Sequence, residues 1–162
     1  MNEMSCGLCR LYAQPLNGRG REAEKAAVAE IVRQVFGDRP LLHRDDGSPY
    51  IGDFDGFISV SHGAGTAVLA VSDIPVGVDI EEDRPQLQRV SHKFINEAED
   101  DAPSLLHAWT AKEAAFKAAG IAGVTVSEII VKQDAAFVRG RRFDLHYLTF
   151  GSALVAVATP SR

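Results

Sequence analysis

The segment "VGVDIEED" (76–83) sets Asp79 and Glu81 two residues apart. Alternate side chains of a β-strand share a face. Val76, Val78 and Ile80 therefore point one way, and Gly77, Asp79 and Glu81 the other, with the glycine leaving open space beside the acids. Two carboxylates this close repel unless one holds a proton or a cation lies between them. "WTAKEAAFKAAG" (109–120) supplies a third acid. Wound as a helix at about 100° per residue, Leu105, Leu106, Trp109 and Phe116 form an apolar stripe, and Glu113 falls inside it. A carboxylate facing a core is costly unless something pairs with it. If this helix packs on the 74–81 strand, Asp79, Glu81 and Glu113 converge. Hard oxygen donors suit Mg²⁺, which completes its shell with water and substrate phosphate, and they suit Mn²⁺ equally. Lys112 and Lys117, on the edges of the stripe, would flank such a site as point charges. An acidic strand face and an i, i+4 Glu–Lys pair, worth about 0.2–0.5 kcal/mol, explain each segment singly but not why Glu113 lies in the stripe.

"FISVSHGAG" (57–65) ends a predicted strand with Ser61 and His62 before a glycine-containing turn. A hydroxyl, an imidazole and exposed backbone N–H groups suit a phosphate. Adjacent strand residues face opposite ways, so Ser61 and His62 are not a nucleophile–base pair by adjacency. There is no G-x-S-x-G elbow and no P-loop. Cys6 and Cys9 have C-x-x-C spacing, but no second pair follows. They read as two small, partly buried residues rather than half of a zinc site.

The elements that must position these residues follow from periodicity and breakers. A strand is predicted over 6–13 and a helix over 21–37, with Ala27, Val28, Ile31, Val35 and Phe36 as its apolar face and Gly37 as its cap. Residues 44–56 read as a turn-rich loop. Strands follow at 57–61, 66–72 and 74–81. A short helix over 86–95 turns Leu87, Val90 and Phe94 inward. The main second-half helix covers 102–119, and four strands complete the chain. "GTAVLAVSD" (65–73) resembles "GSALVAVAT" (151–159), which hints at a duplicated unit with pseudo-twofold symmetry.

The bulk numbers set limits. At 162 residues the chain suits one domain or two small lobes. Its net charge of −5 argues against non-specific binding to nucleic acid. No apolar run approaches the roughly 20 residues of a membrane span, and "MNEMSCGLCRLY" lacks the basic and apolar regions of a signal peptide. A cytoplasmic protein is expected.

"VGVDIEE" followed by "WTAKEAAFKAAG" resembles the paired signature of the 4'-phosphopantetheinyl transferases, G-x-D-x-E and then W/F-x-x-K-E-A/S-x-x-K. "SVSHG" is similar to the S-H motif that precedes it in the larger, two-lobed branch. The resemblance runs from about Gly47 to Gly120. It implies transfer of phosphopantetheine from coenzyme A to a serine of an acyl or peptidyl carrier protein, with Asp79, Glu81 and Glu113 on Mg²⁺. It further implies that Lys117 contacts phosphate, that Ser61 and His62 meet the coenzyme A phosphates, and that Glu99 of "KFINEAE" is the general base. Arg19 or Arg21 stands where a nucleotide-binding cation is expected. The family's G-K-P is here Gly47-Ser48-Pro49, one cation fewer. Carrier proteins of this class are acidic, so docking calls for a local basic face; Arg89 and Lys93 on helix 86–95 are the candidates.

The expected fold is α+β: pseudo-twofold duplicated lobes, 1–73 and 74–162, each a long helix on a small antiparallel sheet, with the site between them. With both lobes in one chain, a monomer is expected. Two other readings use the same residues: a Mg²⁺-dependent enzyme on another phosphate ester, and a non-catalytic homologue that binds carrier protein or coenzyme A.

Overall fold

The computed structural model describes residues 1–162. Its first half runs β1 (Asn2–Cys6), β2 (Cys9–Pro15), α1 (Arg21–Phe36), β3 (Leu41–His43), β4 (Pro49–Ile51), β5 (Phe57–Gly63) and β6 (Thr66–Ser72). The second runs β7 (Gly77–Glu81), α2 (Pro85–Val90), α3 (Leu105–Ala119), β8 (Ile130–Val131), β9 (Ala135–Val138), β10 (Arg141–Phe150) and β11 (Ala153–Pro160). Single 3-10 turns follow α2, at Ser91–Lys93, and precede β8, at Val126–Glu128.

One antiparallel sheet has the order β1-β2-β6-β5 and the other β7-β11-β10-β9-β8. The unit β2-α1-β5-β6 is repeated as β7-α3-β10-β11, and in each sheet the last strand lies between the other two. The similar segments 65–73 and 151–159 thus become β6 and β11, equivalent strands of a duplicated α+β unit. The sheets stack face to face. Leu11, Val68 and Ala70 of one pack against Val78, Ile80, Val155 and Val157 of the other. Helix α1 covers the outer face of the first sheet through Ala27, Val28, Ile31 and Val32, and α3 covers that of the second. No helix is long and apolar enough to cross a membrane.

Several expectations need correction. The strand predicted over 6–13 is a hairpin broken at Gly7–Leu8; Gly7 has φ 57°, which glycine adopts without strain. Cys6 and Cys9 face each other across it as buried free thiols. The loop over 44–56 contains a strand, β4, paired with β3. Helix 86–95 is α2 and its 3-10 continuation. Helix α3 starts at Leu105 rather than Ala102, because Ser104 caps it: the Oγ accepts from His107 N at 3.2 Å.

The face of α3 also differs. Its buried side is Ala108, Ala111, Ala114, Ala115 and Ala118, while Phe116 is 40% exposed. Small residues face the sheet because the helix lies very close to it. A Cβ on Gly77 would stand 1.9 Å from the carbonyl oxygen of Ala114. The space beside the acids is therefore not open: the backbone of α3 fills it.

The halves meet where edge strands β5 and β7 run side by side. No backbone ladder joins them. Val78 N donates to Ser59 Oγ at 3.0 Å and Ile80 N to Ser61 Oγ at 3.3 Å. Gly63 lets the strands approach, since a Cβ there would stand 2.4 Å from Ile80 O. The serines satisfy N–H groups that a bare edge would leave unpaired.

Candidate active site

The outer face of β7 carries Gly77, Asp79 and Glu81 under α3, as strand alternation requires. Asp79 is buried. Its Oδ1 accepts from Ser61 Oγ at 2.9 Å and from Lys117 Nζ at 3.1 Å. Its Oδ2 is buried with no hydrogen-bond partner. Glu81 is held from both sides: Oε1 accepts from Trp109 Nε1 at 3.1 Å and Oε2 from Arg84 Nη2 at 2.9 Å. Glu113 projects from α3 toward these two. Burial pushes its carboxyl above the usual carboxylate range, and the charges of Asp79 and Glu81 push the same way. Burial also raises Asp79, against the pull of Lys117 and Ser61, and raises Glu81 against its bond from Trp109.

The arrangement suits a hard cation. Every donor is an oxygen, one carboxylate oxygen is buried without a partner, and all three acids resist ionisation in its absence. The acids do not form a closed cage: no group of three or more His, Cys, Asp or Glu side chains is set to hold a metal alone. Mg²⁺ is ordinarily held by one or two carboxylates together with substrate phosphates, so a partial protein shell matches its habit.

The two lysines part company. Lys117 stays at the acids, bridging Val78 O at 2.8 Å, Val60 O at 3.4 Å and Asp79. Lys112, expected beside phosphate, is fully buried elsewhere: its Nζ donates to Phe94 O and to Asp100 Oδ2, each at 2.6 Å. Five residues earlier on α3 than Lys117, it faces the 94–101 segment instead of the acids. Asp100 is a residue that sequence reasoning missed. The one available signal was an acid-rich loop next to a helix whose lysine needed a partner.

Ser61 is buried with its hydroxyl donated to Asp79 and accepting from Ile80 N, so it does not present that group to a phosphate as expected. His62 faces the other way, half-exposed, with Nδ1 3.4 Å from Glu24 Oε1 of α1. It lines a cavity of about 770 Å³ with Arg21, Lys25, Arg33, Arg39 and His43. A second cavity of about 620 Å³ lies beside Lys117, walled by Ser48, Pro49, Val60, Phe116 and Ile121. Glu99 is exposed. It accepts from Asn96 Nδ2 at 2.7 Å and makes no hydrogen bond with the three acids. Arg89 and Lys93 are exposed on α2 and the turn after it.

Residues 75–137 match the family model of the 4'-phosphopantetheinyl transferase superfamily. The matched segment opens just ahead of β7 and closes in β9, so it contains "VGVDIEE" and "WTAKEAAFKAAG" and bears out the likeness read from them. It supports a transferase of this kind. "SVSHG" and Arg21 lie upstream of the match. No curated protein matches the chain. Within the matched segment, Asp79, Glu81, Glu113 and Lys117 stand together, whereas Lys112 and Glu99 lie off that cluster.

Proposed function

We propose that the protein moves 4'-phosphopantetheine from coenzyme A to a serine of an acyl or peptidyl carrier protein, with Mg²⁺ held by Asp79, Glu81 and Glu113. The observation that carries this reading is the partnerless buried Oδ2 of Asp79 beside two acids of raised proton affinity, inside the family-matched segment. In the reaction the serine Oγ bonds to the pantetheine-bearing phosphorus, and the bond from that phosphorus to the bridging oxygen breaks. Adenosine 3',5'-bisphosphate leaves. Mg²⁺, when bound, supplies charge neutralisation at the diphosphate. The protein's own residues do the positioning. Trp109 and Arg84 hold Glu81, Ser61 and Lys117 hold Asp79, and Lys117 adds positive charge next to the diphosphate. The cationic cavity of Arg21, Lys25, Arg39 and His62 would take the nucleotide. Its arginines offset the cation absent at Ser48. Glu99 takes the serine proton; its support is its exposure and its place in "KFINEAE". The serine nucleophile comes from the partner, which accounts for a site without an activated nucleophile of its own.

The test is intact-protein mass spectrometry of apo carrier proteins incubated with this protein, coenzyme A and Mg²⁺. A phosphopantetheine mass gain that needs the metal is the expected result. No gain on any carrier, with coenzyme A still bound, would instead favour a non-catalytic homologue. The same assay separates the remaining roles. Arg89→Glu with Lys93→Glu should raise the KM for carrier about tenfold or more and leave that for coenzyme A unchanged, as charge reversal at an electrostatic docking face predicts. Glu99→Gln should lower kcat by about 10²-fold, the usual worth of a general base, with both KM values kept. An unchanged kcat would remove Glu99 from the mechanism.

A further inference from the structure

We propose that Ser61 is a positioning residue for Asp79: it fixes which carboxylate oxygen is spent inside the protein and which is left for the metal. The inference rests on the metal reading above and goes beyond it, because it assigns Ser61 to the protein's own acid rather than to coenzyme A. The hydroxyl has one proton, and that proton is committed to Asp79 Oδ1 at 2.9 Å. Its acceptor side takes Ile80 N at 3.3 Å, and only 7% of the residue is exposed. Oδ1 also receives Lys117 Nζ at 3.1 Å. One oxygen of Asp79 thus has two donors and the other has none. A hydrogen-bond partner behind a metal ligand orients it, and its loss typically weakens metal binding 10–100-fold.

Ser59 provides an internal control. It makes the same kind of bridge from β5 to β7, accepting from Val78 N at 3.0 Å, and it is equally buried at 3%. It donates to no carboxylate. Alternation along β5 puts Ser59 and Ser61 on one face, but only Ser61 lies opposite Asp79.

The experiment is a Mn²⁺ titration of the full chain read by the electron paramagnetic resonance of the free ion, with and without coenzyme A. Wild type, Ser59→Ala, Ser61→Ala, Ser61→Thr and Asp79→Asn are compared, with thermal melts as a check on folding. Ser61→Ala should weaken Mn²⁺ binding about tenfold or more, Ser59→Ala less than about threefold, and Ser61→Thr, which keeps the hydroxyl, should recover most of the loss. Equal losses in the two alanine variants would make Ser61 a strand bridge only and overturn the proposal. So would a Ser61→Ala defect in coenzyme A binding that persists with the metal chelated, which would return the hydroxyl to the coenzyme. If Asp79→Asn binds Mn²⁺ as wild type does, the metal reading itself fails, and the Ser61 proposal with it.

Discussion

Asp100→Ala is expected to destabilise the protein by about 3–5 kcal/mol, the usual cost of breaking a buried ion pair from one side. Lys112 is wholly inaccessible, and its ammonium has two partners, the Asp100 carboxylate and the Phe94 carbonyl. Asp100 also accepts from Asn96 N at 2.7 Å and from Val131 N at 2.8 Å. Removing it strands a buried cation and two backbone donors together. For a domain of total stability about 5–15 kcal/mol the loss is large. At about 2–4 °C per kcal/mol for a chain of this size, the melting temperature should fall by roughly 6–20 °C. Lys112→Met in the same background should restore part of the loss, because the stranded charge is then gone. Urea and thermal melts of the two single variants and the double variant measure this. A loss under about 1 kcal/mol for Asp100→Ala, or strict additivity in the double, would mean that the pair is not the anchor described. The pair bears on function through rotation. By clamping Lys112 to the 94–101 segment, it holds α3 so that the next residue, Glu113, faces Asp79 and Glu81.

Glu113→Gln should act in opposite directions on activity and on stability. With Glu113 on Mg²⁺ as proposed, loss of its charge would remove several kcal/mol of charge stabilisation at the transferring diphosphate. At about 1.4 kcal/mol per tenfold in rate, that is a fall of about 10³-fold or more. The metal-free variant should meanwhile be more stable than wild type at neutral pH. Burial, with the charges of Asp79 and Glu81, disfavours ionised Glu113 in the folded protein. Between the unfolded carboxylate value, about 4.3, and the raised folded one, the folded state binds more protons than the unfolded state. Stability there falls as pH rises and is regained as pH is lowered. Asp79 and Glu81 are shifted the same way and share that slope. Glu30 goes the other way, pulled down to about 2 by its bonds from Arg33 and Gln34, and costs stability only once the solution is acidic enough to protonate it. Melting curves of the metal-free protein between about pH 5 and 7.5 should therefore show wild type gaining stability toward the acid side of the window, and Glu113→Gln gaining less. Added Mg²⁺ should narrow the difference. A variant no more stable than wild type at neutral pH, with an unchanged slope, would mean that Glu113 does not share the field of the other two acids.

Features that depend on neighbours along the chain were legible before any fold was known. Strand alternation separated Val78 and Ile80 from Gly77, Asp79 and Glu81, and the packed sheets and α3 occupy those two faces. The repeat of small residues at 65–73 and 151–159 announced two equivalent central strands, because a strand packed on both faces needs the same small, β-forming side chains wherever it occurs. The paired acidic and lysine-bearing motifs pointed to the transferase superfamily. Features that depend on contacts distant in sequence emerged only with the packed chain. A helical wheel weighted Leu105, Trp109 and Phe116 as the core face, yet the alanines were chosen, since only they allow α3 to lie against Gly77. That change of face sent Lys112 to Asp100 and left Lys117 with Asp79, a sorting that spacing could not supply because both lysines flank Glu113. Ser61 was legible as a polar residue near the site. Its partner was not, because the bond to Asp79 exists only where two edge strands from different halves of the chain are brought side by side.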